Sequence, residues 1–271
     1  MANLTESTAS IGVFDSGFGG LTVMKAIRDL LPNEDLIYLG DAARLPYGNK
    51  SPATVIRYTL ESARFLAGQK IKLIVIACHT AASVSLNTLE QELYIPVIGV
   101  IEPCLPDLIE SASRGVIGVL ATRATISSQV YQKALQSYDP AIGVIGVACP
   151  LFVPLVEEGL MVGSIASETV KHYLAPLKAK GVNTLLLGCT HYPLLQKEIQ
   201  EFMGPSCRLI DPSIHCAHFV KAFLMGRRLL NPSNAPSQSL FFTTDDPEKF
   251  QELGPKFLHR DISAVSKVIL S

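Results

Sequence analysis

The feature that most constrains the fold is an apolar run that ends on a cysteine, and the chain contains it twice. Residues 182–195 read VNTLLLGCTHYPLL, so the first such run stops at Cys189. Residues 71–83 read IKLIVIACHTAAS, where the run stops at Cys78. Uninterrupted aliphatic runs are typical of strands buried on both faces of a parallel α/β sheet. Because ligands bind at the carboxyl ends of such strands, the two thiols are candidates for one site.

The order of strands and turns is repeated as well. The offset from Asp15 to Thr122 is 107 residues, and the offset from Cys78 to Cys189 is 111 residues. Matching features at nearly one offset indicate an internal duplication. Alternating strands and helices predict two similar, doubly wound α/β domains whose strand ends face one cleft. Besides the cysteine runs, the paired segments are IGVFDSGFGG (11–20) with GVIGVLATRATISS (115–128), and LIYLGDAARLPYG (36–48) with AIGVIGVACPLFVPLVEEG (141–159).

The end of the chain is predicted to return to the first domain. We place the first domain at residues 1–98 plus 212–271 and the second at residues 99–211. The predicted elements of the tail are a strand in RLIDPS (208–213), a helix to about Leu229, a polar loop at 231–239, a strand LFFTT (240–244) and a short helix EKFQELGPKFL (248–258).

Composition and charge exclude several classes of function. Apolar residues make up 48% and charged residues 17%, which is typical of a folded globular chain. A formal net charge of −1 gives no electrostatic reason to expect direct binding of nucleic acid or of an anionic membrane. The apolar runs are too short to span a bilayer, and MANLTESTAS lacks the features of a signal peptide, so we expect a cytoplasmic protein.

Cysteine usage indicates reduced thiols. Six cysteines at irregular spacings do not resemble a disulfide framework. The segment HCAH (215–218) fits no standard zinc spacing, so we expect no metal. Four cysteines without polar companions are predicted to be packing residues, namely Cys104, Cys149, Cys207 and Cys216.

Two thiols that face a bound carbon from opposite sides can invert its configuration. One thiolate removes a proton, and the other thiol returns a proton to the opposite face. Cys78 and Cys189 each precede a predicted helix, whose N-terminus should lower the thiol pKa from about 8.5. Burial as ordinary core residues is the competing interpretation for either cysteine alone. The duplication, with threonine and histidine repeated beside each thiol, favours a site.

Six motifs in order resemble those of one enzyme family. They are FDSGFGGLTV, GDAARLPYG, AC-x-TAAS, ATRATISSQVY, CPLFVPLVEEG and GCTHYPLL. Together they are similar to the glutamate racemases of the aspartate/glutamate racemase superfamily over residues 11–212. The resemblance implies two flavodoxin-like domains with parallel sheets and an active site in the cleft between them. It also implies interconversion of L- and D-glutamate for peptidoglycan synthesis, no cofactor, and a homodimer.

The resemblance also implies roles for individual residues. Cys78 would act on D-glutamate and Cys189 on L-glutamate. Asp15 would orient the substrate ammonium group or assist the base. Glu157, in preference to its neighbour Glu158, would support the second thiol together with His191. The residues expected to bind substrate are Asp15, Ser16, Pro46, Tyr47, Gly48, His79, Thr80, Thr122, Thr125, Thr190 and His191.

The chain departs from the family pattern at His79, where the family usually has asparagine. An imidazole is bulkier than an amide and can become cationic near neutral pH. His79 could therefore keep a substrate contact, lower the pKa of Cys78, or displace the usual substrate pose.

Three alternatives to a glutamate racemase stay open. They are a racemase of aspartate or another amino acid, a binding or regulatory protein with the same fold, and a hydrolase that uses one cysteine as nucleophile.

Overall fold

The computed structural model describes residues 6–113, 115–233, 237–262 and 264–270, so the predicted loop at 231–239 lies partly outside it. Within these ranges the strands are β1 Ser10–Asp15, β2 Leu36–Gly40, β3 Ile71–Ile76, β4 Val97–Gly99, β5 Ile117–Ala121, β6 Val144–Ala148, β7 Thr184–Gly188, β8 Arg208–Ile210, β9 Ser239–Thr243 and β10 Ser266–Lys267. The helices are α1 Leu21–Leu30, α2 Pro52–Ala67, α3 His79–Glu92, α4 Leu105–Ala112, α5 Arg123–Ser128, α6 Val130–Tyr138, α7 Phe152–Glu157, α8 Ser164–Ala179, α9 Gln196–Met203, α10 Pro212–Arg227 and α11 Pro247–Leu258.

The strands form two parallel sheets. Among the described residues, the larger sheet has the order β10-β9-β2-β1-β3-β4 and the smaller sheet has the order β6-β5-β7-β8. Every strand pair within these ranges is parallel. The segment β2-β1-β3-β4 of the larger sheet and the whole smaller sheet, β6-β5-β7-β8, have the same order when the strands of each unit are numbered from its first strand. This order, 2-1-3-4, is the one that flavodoxin-like folds share. The prediction of two similar flavodoxin-like units is confirmed.

The central strands of both sheets are buried on both faces. All residues of β3 and β7 are buried, as their continuous apolar sequences indicate. Lys72 of β3 is a charged exception at the amino end of the strand. Its ammonium lies 2.5 Å from Glu34 and donates to the backbone carbonyls of Ser7 and Leu229. These contacts offset the free-energy cost of removing the ammonium charge of Lys72 from water.

The tail of the chain returns to the first sheet. Strand β9 pairs with β2, and the short, exposed β10 extends the sheet by pairing with β9. Strand β4 pairs with β3 and spans the proposed domain boundary after residue 98, so the first sheet extends to Gly99. None of the described helices combines the length and hydropathy that a membrane crossing requires.

Candidate active site

A cavity of about 40 Å³ lies between the two sheets, at the carboxyl ends of β1, β3, β5 and β7. Both Cys78 and Cys189 line this cavity, so the two repeated motifs meet at one place. The other predicted site residues that line it are Ser16, Pro46, Tyr47, Gly48, His79, Thr80, Thr122, Glu157, Thr190 and His191. Gly17, Leu45 and Val153 line it too, and the sequence did not single them out.

Cys78 occupies the junction between a strand and a helix. It follows β3 as the N-cap residue of α3, and its thiol lies 3.4 Å from the Ser16 hydroxyl. Burial raises the pKa of Cys78 to about 12, and nearby Asp15 adds to that increase. The hydrogen bond with Ser16 and the backbone N–H of Ala81 act in the opposite direction. The expectation of a lowered pKa is therefore wrong, because loss of water outweighs the helix N-terminus.

Cys189 has a histidine and a carboxylate beside it. The Nδ1 atom of His191 lies 3.9 Å from the Cys189 sulfur, and Nε2 lies 3.2 Å from Glu157 Oε1. Burial raises the pKa of Cys189, while the backbone N–H of His191 opposes the increase. The predicted lowering is wrong for this thiol as well, for the same reason. Glu158 is exposed just beyond α7, so the geometry favours Glu157.

Asp15 lies one layer behind the cavity. Its side chain is fully buried, and Oδ2 accepts a 2.9 Å hydrogen bond from the Gly17 N–H. The Thr190 hydroxyl donates to Oδ1 at 3.4 Å. Burial raises the pKa of Asp15, and attraction to His191 opposes this. Asp15 is not among the described residues that line the cavity. Its geometry fixes the β1–α1 turn and Thr190, and direct contact with substrate stays a prediction.

Three threonines link the two halves of the site. Thr80 at the start of α3 lies 2.8 Å, hydroxyl to hydroxyl, from Thr122 and 3.3 Å from Thr125. Thr122 is the N-cap residue of α5, and its hydroxyl accepts from the Thr125 N–H at 3.3 Å. Thr80 and Thr122 line the cavity, whereas Thr125 supports them from behind. Hydroxyl groups of both units are thereby brought to one wall.

The loop after β2 is held by Asp41, which the sequence analysis missed. The buried carboxylate of Asp41 accepts from the Tyr47 hydroxyl, from Arg44 Nε at 2.6 Å and from the Thr244 hydroxyl at 2.8 Å. These contacts place Tyr47 and Gly48 against the cavity. An added Cβ at Gly48 would lie 2.8 Å from Thr122 Cβ. Asp41 follows a buried strand inside the GDAARLPYG motif, which was the available signal.

His79 is buried and neutral. Within the described part of the chain, neither ring nitrogen has a hydrogen-bond partner, and both are shielded from solvent. The ring lies 6.4 Å from that of Tyr131, centroid to centroid. Burial lowers the pKa of His79 to about 3. The expectations that His79 becomes cationic, or that its charge lowers the pKa of Cys78, are therefore wrong. Unpartnered nitrogens at a cavity wall are suited to a polar ligand.

The remaining cysteines and histidines are accounted for structurally. All six cysteines, each within the described ranges, are buried free thiols. His215 of the HCAH segment lies 3.2 Å from Asp107, Nε2 to Oδ2. No group of histidine, cysteine or acidic side chains among the described residues is arranged to hold a metal ion. His172, His218 and His259 are exposed.

Comparisons with known proteins bear on this geometry. A family model described as Asp/Glu/hydantoin racemase matches residues 11–218. The glutamate racemase of Geobacter metallireducens is 46% identical over 261 residues, covering 96% of this chain and 97% of the relative. The crystal structure of Francisella tularensis glutamate racemase in complex with D-glutamate has a TM-score of 0.91 at 38% identity, covering 97% of this chain and 98% of that chain. The crystal structure of glutamate racemase isoform RacE1 from Bacillus anthracis has a TM-score of 0.93 at 38% identity, covering 98% of this chain and 99% of that chain. These matches confirm the resemblance that the motifs indicate.

Proposed function

The chain belongs to the Asp/Glu/hydantoin racemase family, and from this premise we propose that it interconverts L- and D-glutamate with Cys78 and Cys189 as the two acid–base groups. The observation that carries the proposal is that both thiols line one small cavity from equivalent strand ends. An acid and a base on opposite sides of one carbon are what inversion requires. The identity of 46% to a glutamate racemase supports glutamate as the substrate.

Proton transfer proceeds in two linked steps. With D-glutamate, the Cys78 thiolate takes the α-proton, so the C–H bond breaks and an S–H bond forms. The electron pair left on Cα then takes a proton from the Cys189 thiol on the opposite face. The product is L-glutamate, and the thiolate is now at Cys189. The reverse reaction uses the same groups with their roles exchanged.

His191 is the partner that activates Cys189. Glu157 accepts a hydrogen bond from Nε2–H, which leaves Nδ1 unprotonated and able to take the proton of the thiol. The resulting imidazolium stabilises the thiolate by charge attraction. Cys78 has the Ser16 hydroxyl and the backbone N–H of Ala81 instead. Because burial opposes both thiolates, these local donors are needed to make proton removal feasible.

Neutral donors line the cavity where the substrate carboxylates and ammonium group would bind. Thr80, Thr122 and Thr190, which carry hydroxyl groups, line it together with the loop that contains Gly48. The neutral His79 adds one N–H donor and one acceptor nitrogen. Charge-assisted hydrogen bonds from such donors to carboxylates are stronger than neutral ones. We assign His79 to substrate binding on this basis.

The cellular role follows from the product. D-Glutamate is a component of peptidoglycan, so the enzyme would supply cell-wall synthesis from the cytoplasm, where thiols stay reduced.

A homodimer is supported by large exposed apolar side chains, of which Val162 is 67% and Ile165 57% exposed. Sedimentation velocity on the purified protein would detect the dimer, and a concentration-independent monomer would contradict it.

The proposal is tested by proton exchange and racemisation in D₂O. Purified protein is incubated separately with L-glutamate, D-glutamate and L-aspartate, while NMR follows the Cα proton and polarimetry follows inversion. We expect deuterium in both glutamate enantiomers and loss of optical rotation. Exchange with L-aspartate alone would reassign the substrate, and no exchange with any of the three would contradict racemase activity.

Each thiol should be essential for racemisation. Cys78→Ser and Cys189→Ser should each reduce racemisation by about 10²–10⁴-fold, because an alcohol is a far weaker acid than a thiol. Cys207→Ala is the control, since this buried cysteine lies outside the cavity. Retained racemisation in either serine variant would contradict the two-thiol mechanism. A trapped covalent intermediate would instead favour a cysteine hydrolase.

A further inference from the structure

The His191 imidazole is enclosed by side chains and backbone from distant parts of the sequence. Glu157 of α7 contacts Nε2. The ring of Phe257, near the end of α11, lies 5.2 Å from the imidazole, centroid to centroid, at an interplanar angle of 83°. An added Cβ at Gly19 would overlap His191 Nδ1. His191 is 6% exposed and Phe257 1% exposed. Three separate segments thus define the space that the imidazole occupies.

The contact with Glu157 alone does not fix the plane of the imidazole. His191 lies in the short turn between β7 and the 3₁₀ segment Tyr192–Leu195, outside a regular helix that would restrict its rotamer. One hydrogen bond at Nε2 still permits rotation of the ring about its Cβ–Cγ bond. That rotation carries Nδ1 away from the Cys189 sulfur. A perpendicular aromatic ring in contact opposes it, because the imidazole would have to sweep into the phenyl ring.

We propose that Phe257 is a positioning residue that holds the His191 imidazole with Nδ1 directed at Cys189. The proposal rests on the two-thiol function above and adds a residue that no catalytic motif contains. Phe257 acts on the second thiol through His191, whereas Cys78 has its own contact with Ser16. Loss of the phenyl ring should therefore impair proton transfer at one face of the substrate and spare the other. The last turn of α11 thereby positions a catalytic group, although it does not itself contact the substrate.

The matched control lies in the same helix. Phe250 is fully buried in α11 and packs against Phe18, Tyr38 and Phe241, away from His191. Phe257→Leu and Phe250→Leu should therefore cost similar stability, measured by urea unfolding of each variant. We expect racemisation by Phe257→Leu to fall about tenfold or more, since it loses part of a general acid–base contribution. Phe250→Leu should retain racemisation, and Phe257→Tyr, which keeps an aromatic ring, should remain near wild type.

The decisive measurement distinguishes proton removal by Cys78 from proton removal by Cys189, on the two faces of the substrate. In D₂O, deuterium incorporation into unconverted D-glutamate reports proton removal by Cys78 alone, whereas incorporation into unconverted L-glutamate reports removal by Cys189. For Phe257→Leu we expect the ratio of exchange to racemisation to rise severalfold with D-glutamate and not with L-glutamate. An unchanged rate, or a loss matched by Phe250→Leu with unchanged ratios, would overturn the proposal. A wild-type protein that exchanges neither enantiomer would overturn the proposed function itself, and this inference with it.

Discussion

At the scale of single residues, His79 shows how a burial environment determines chemistry. The residue type is compatible with a cation at neutral pH, but the structure keeps the ring neutral by excluding water. A neutral imidazole can both donate and accept, as the asparagine amide expected here from the family motif would. The substitution therefore changes the size of the group at this wall more than its hydrogen-bonding capacity.

The neutral state of His79 predicts a pH dependence of stability. Its pKa is about 3 when folded and about 6.5 when unfolded, so the unfolded chain binds more protons between those values. Stability should therefore fall as pH decreases from 6.5, by up to about 1.4 kcal/mol per pH unit. His79→Asn should remove this contribution, and denaturant unfolding at pH 7.5, 5.5 and 4.5 would measure it.

The control is His172→Asn, because His172 is exposed. This variant should show the same pH dependence as the wild type. Equal pH dependence of His79→Asn and wild type would show that His79 accepts a proton in the folded protein. That result would contradict the lowered pKa of His79 in the folded protein.

The residues found from the sequence and the residues missed differ in a physical way. Cys78, His191 and Thr122 belong to short motifs at strand ends, where local order and chemistry are visible together. Phe257 is one apolar residue of an amphipathic helix, and its sequence is typical of core packing. Only the folded chain brings it to His191. The thiol pKa values could not be predicted either, since they depend on how completely the two units exclude water.

At the scale of elements, the loop between β2 and α2 depends on the far end of the chain. Thr244 follows β9, and its hydroxyl donates to Asp41 at 2.8 Å while accepting from the Ala43 N–H at 3.0 Å. Arg44 joins Asp41 to Glu61 of α2 and stacks on Tyr58, 4.1 Å from the ring centroid. A segment more than 200 residues later in the sequence thus stabilises a wall of the cavity.

Removing the Thr244 hydroxyl should weaken substrate binding. Thr244→Val loses hydrogen bonds worth about 1 kcal/mol, so we expect KM to rise about fivefold for both enantiomers with a smaller change in kcat. Thr244→Ser should restore KM because it keeps the hydroxyl. Steady-state kinetics in both directions would measure this. Thr169→Val, on the exposed face of α8, is the control, and an unaltered KM in Thr244→Val would argue against a role for the β9 end.

At the scale of the whole molecule, the structure is closed around its site. Cys78 is 6% and Cys189 7% exposed, and the cavity of about 40 Å³ is far smaller than the several hundred Å³ of typical ligand pockets. The walls of the cavity must therefore move apart for glutamate to enter. The hydrogen bonds of Thr80 with Thr122 and Thr125 join the two units at one wall, and widening there would break and re-form them.

The opposite end of the first sheet is held by a buried ion pair. Lys72 and Glu34 are 0% and 2% exposed at their side chains. Lys72→Met leaves Glu34 unpaired, so we expect a loss of about 3–5 kcal/mol in the free energy of unfolding. Lys72→Met with Glu34→Gln should be more stable than Lys72→Met alone, because the unpaired charge is gone. Guanidinium unfolding would compare them.

Activity provides a second check on the ion pair. Lys72 lies at the amino end of β3 and Cys78 just beyond its carboxyl end, roughly 20 Å apart along the strand. Racemisation by the folded double variant should therefore match the wild type. Greater instability of the double variant than of Lys72→Met would contradict the charge argument.

The fold was more predictable than the packing. Buried strands and the internal duplication are visible as long apolar runs at nearly one offset, because parallel central strands need apolar residues on both faces. Strand β10 was missed, since Ser266–Lys267 is two residues long and exposed. The buried charge of Lys72 was also invisible within an apolar run. Its partners Glu34 and Leu229 approach it only through tertiary structure.

The small volume between the thiols has a kinetic consequence. In the two-thiol mechanism each turnover leaves the proton on the other cysteine, so the released enzyme is prepared for the enantiomer it has just made. Before it can use the original enantiomer again, a proton must cross the empty site. A cavity of about 40 Å³ admits only a few water molecules for that transfer. After each turnover the enzyme therefore stays for a short time in the protonation state that suits its last product. The lifetime of that state depends on those water molecules.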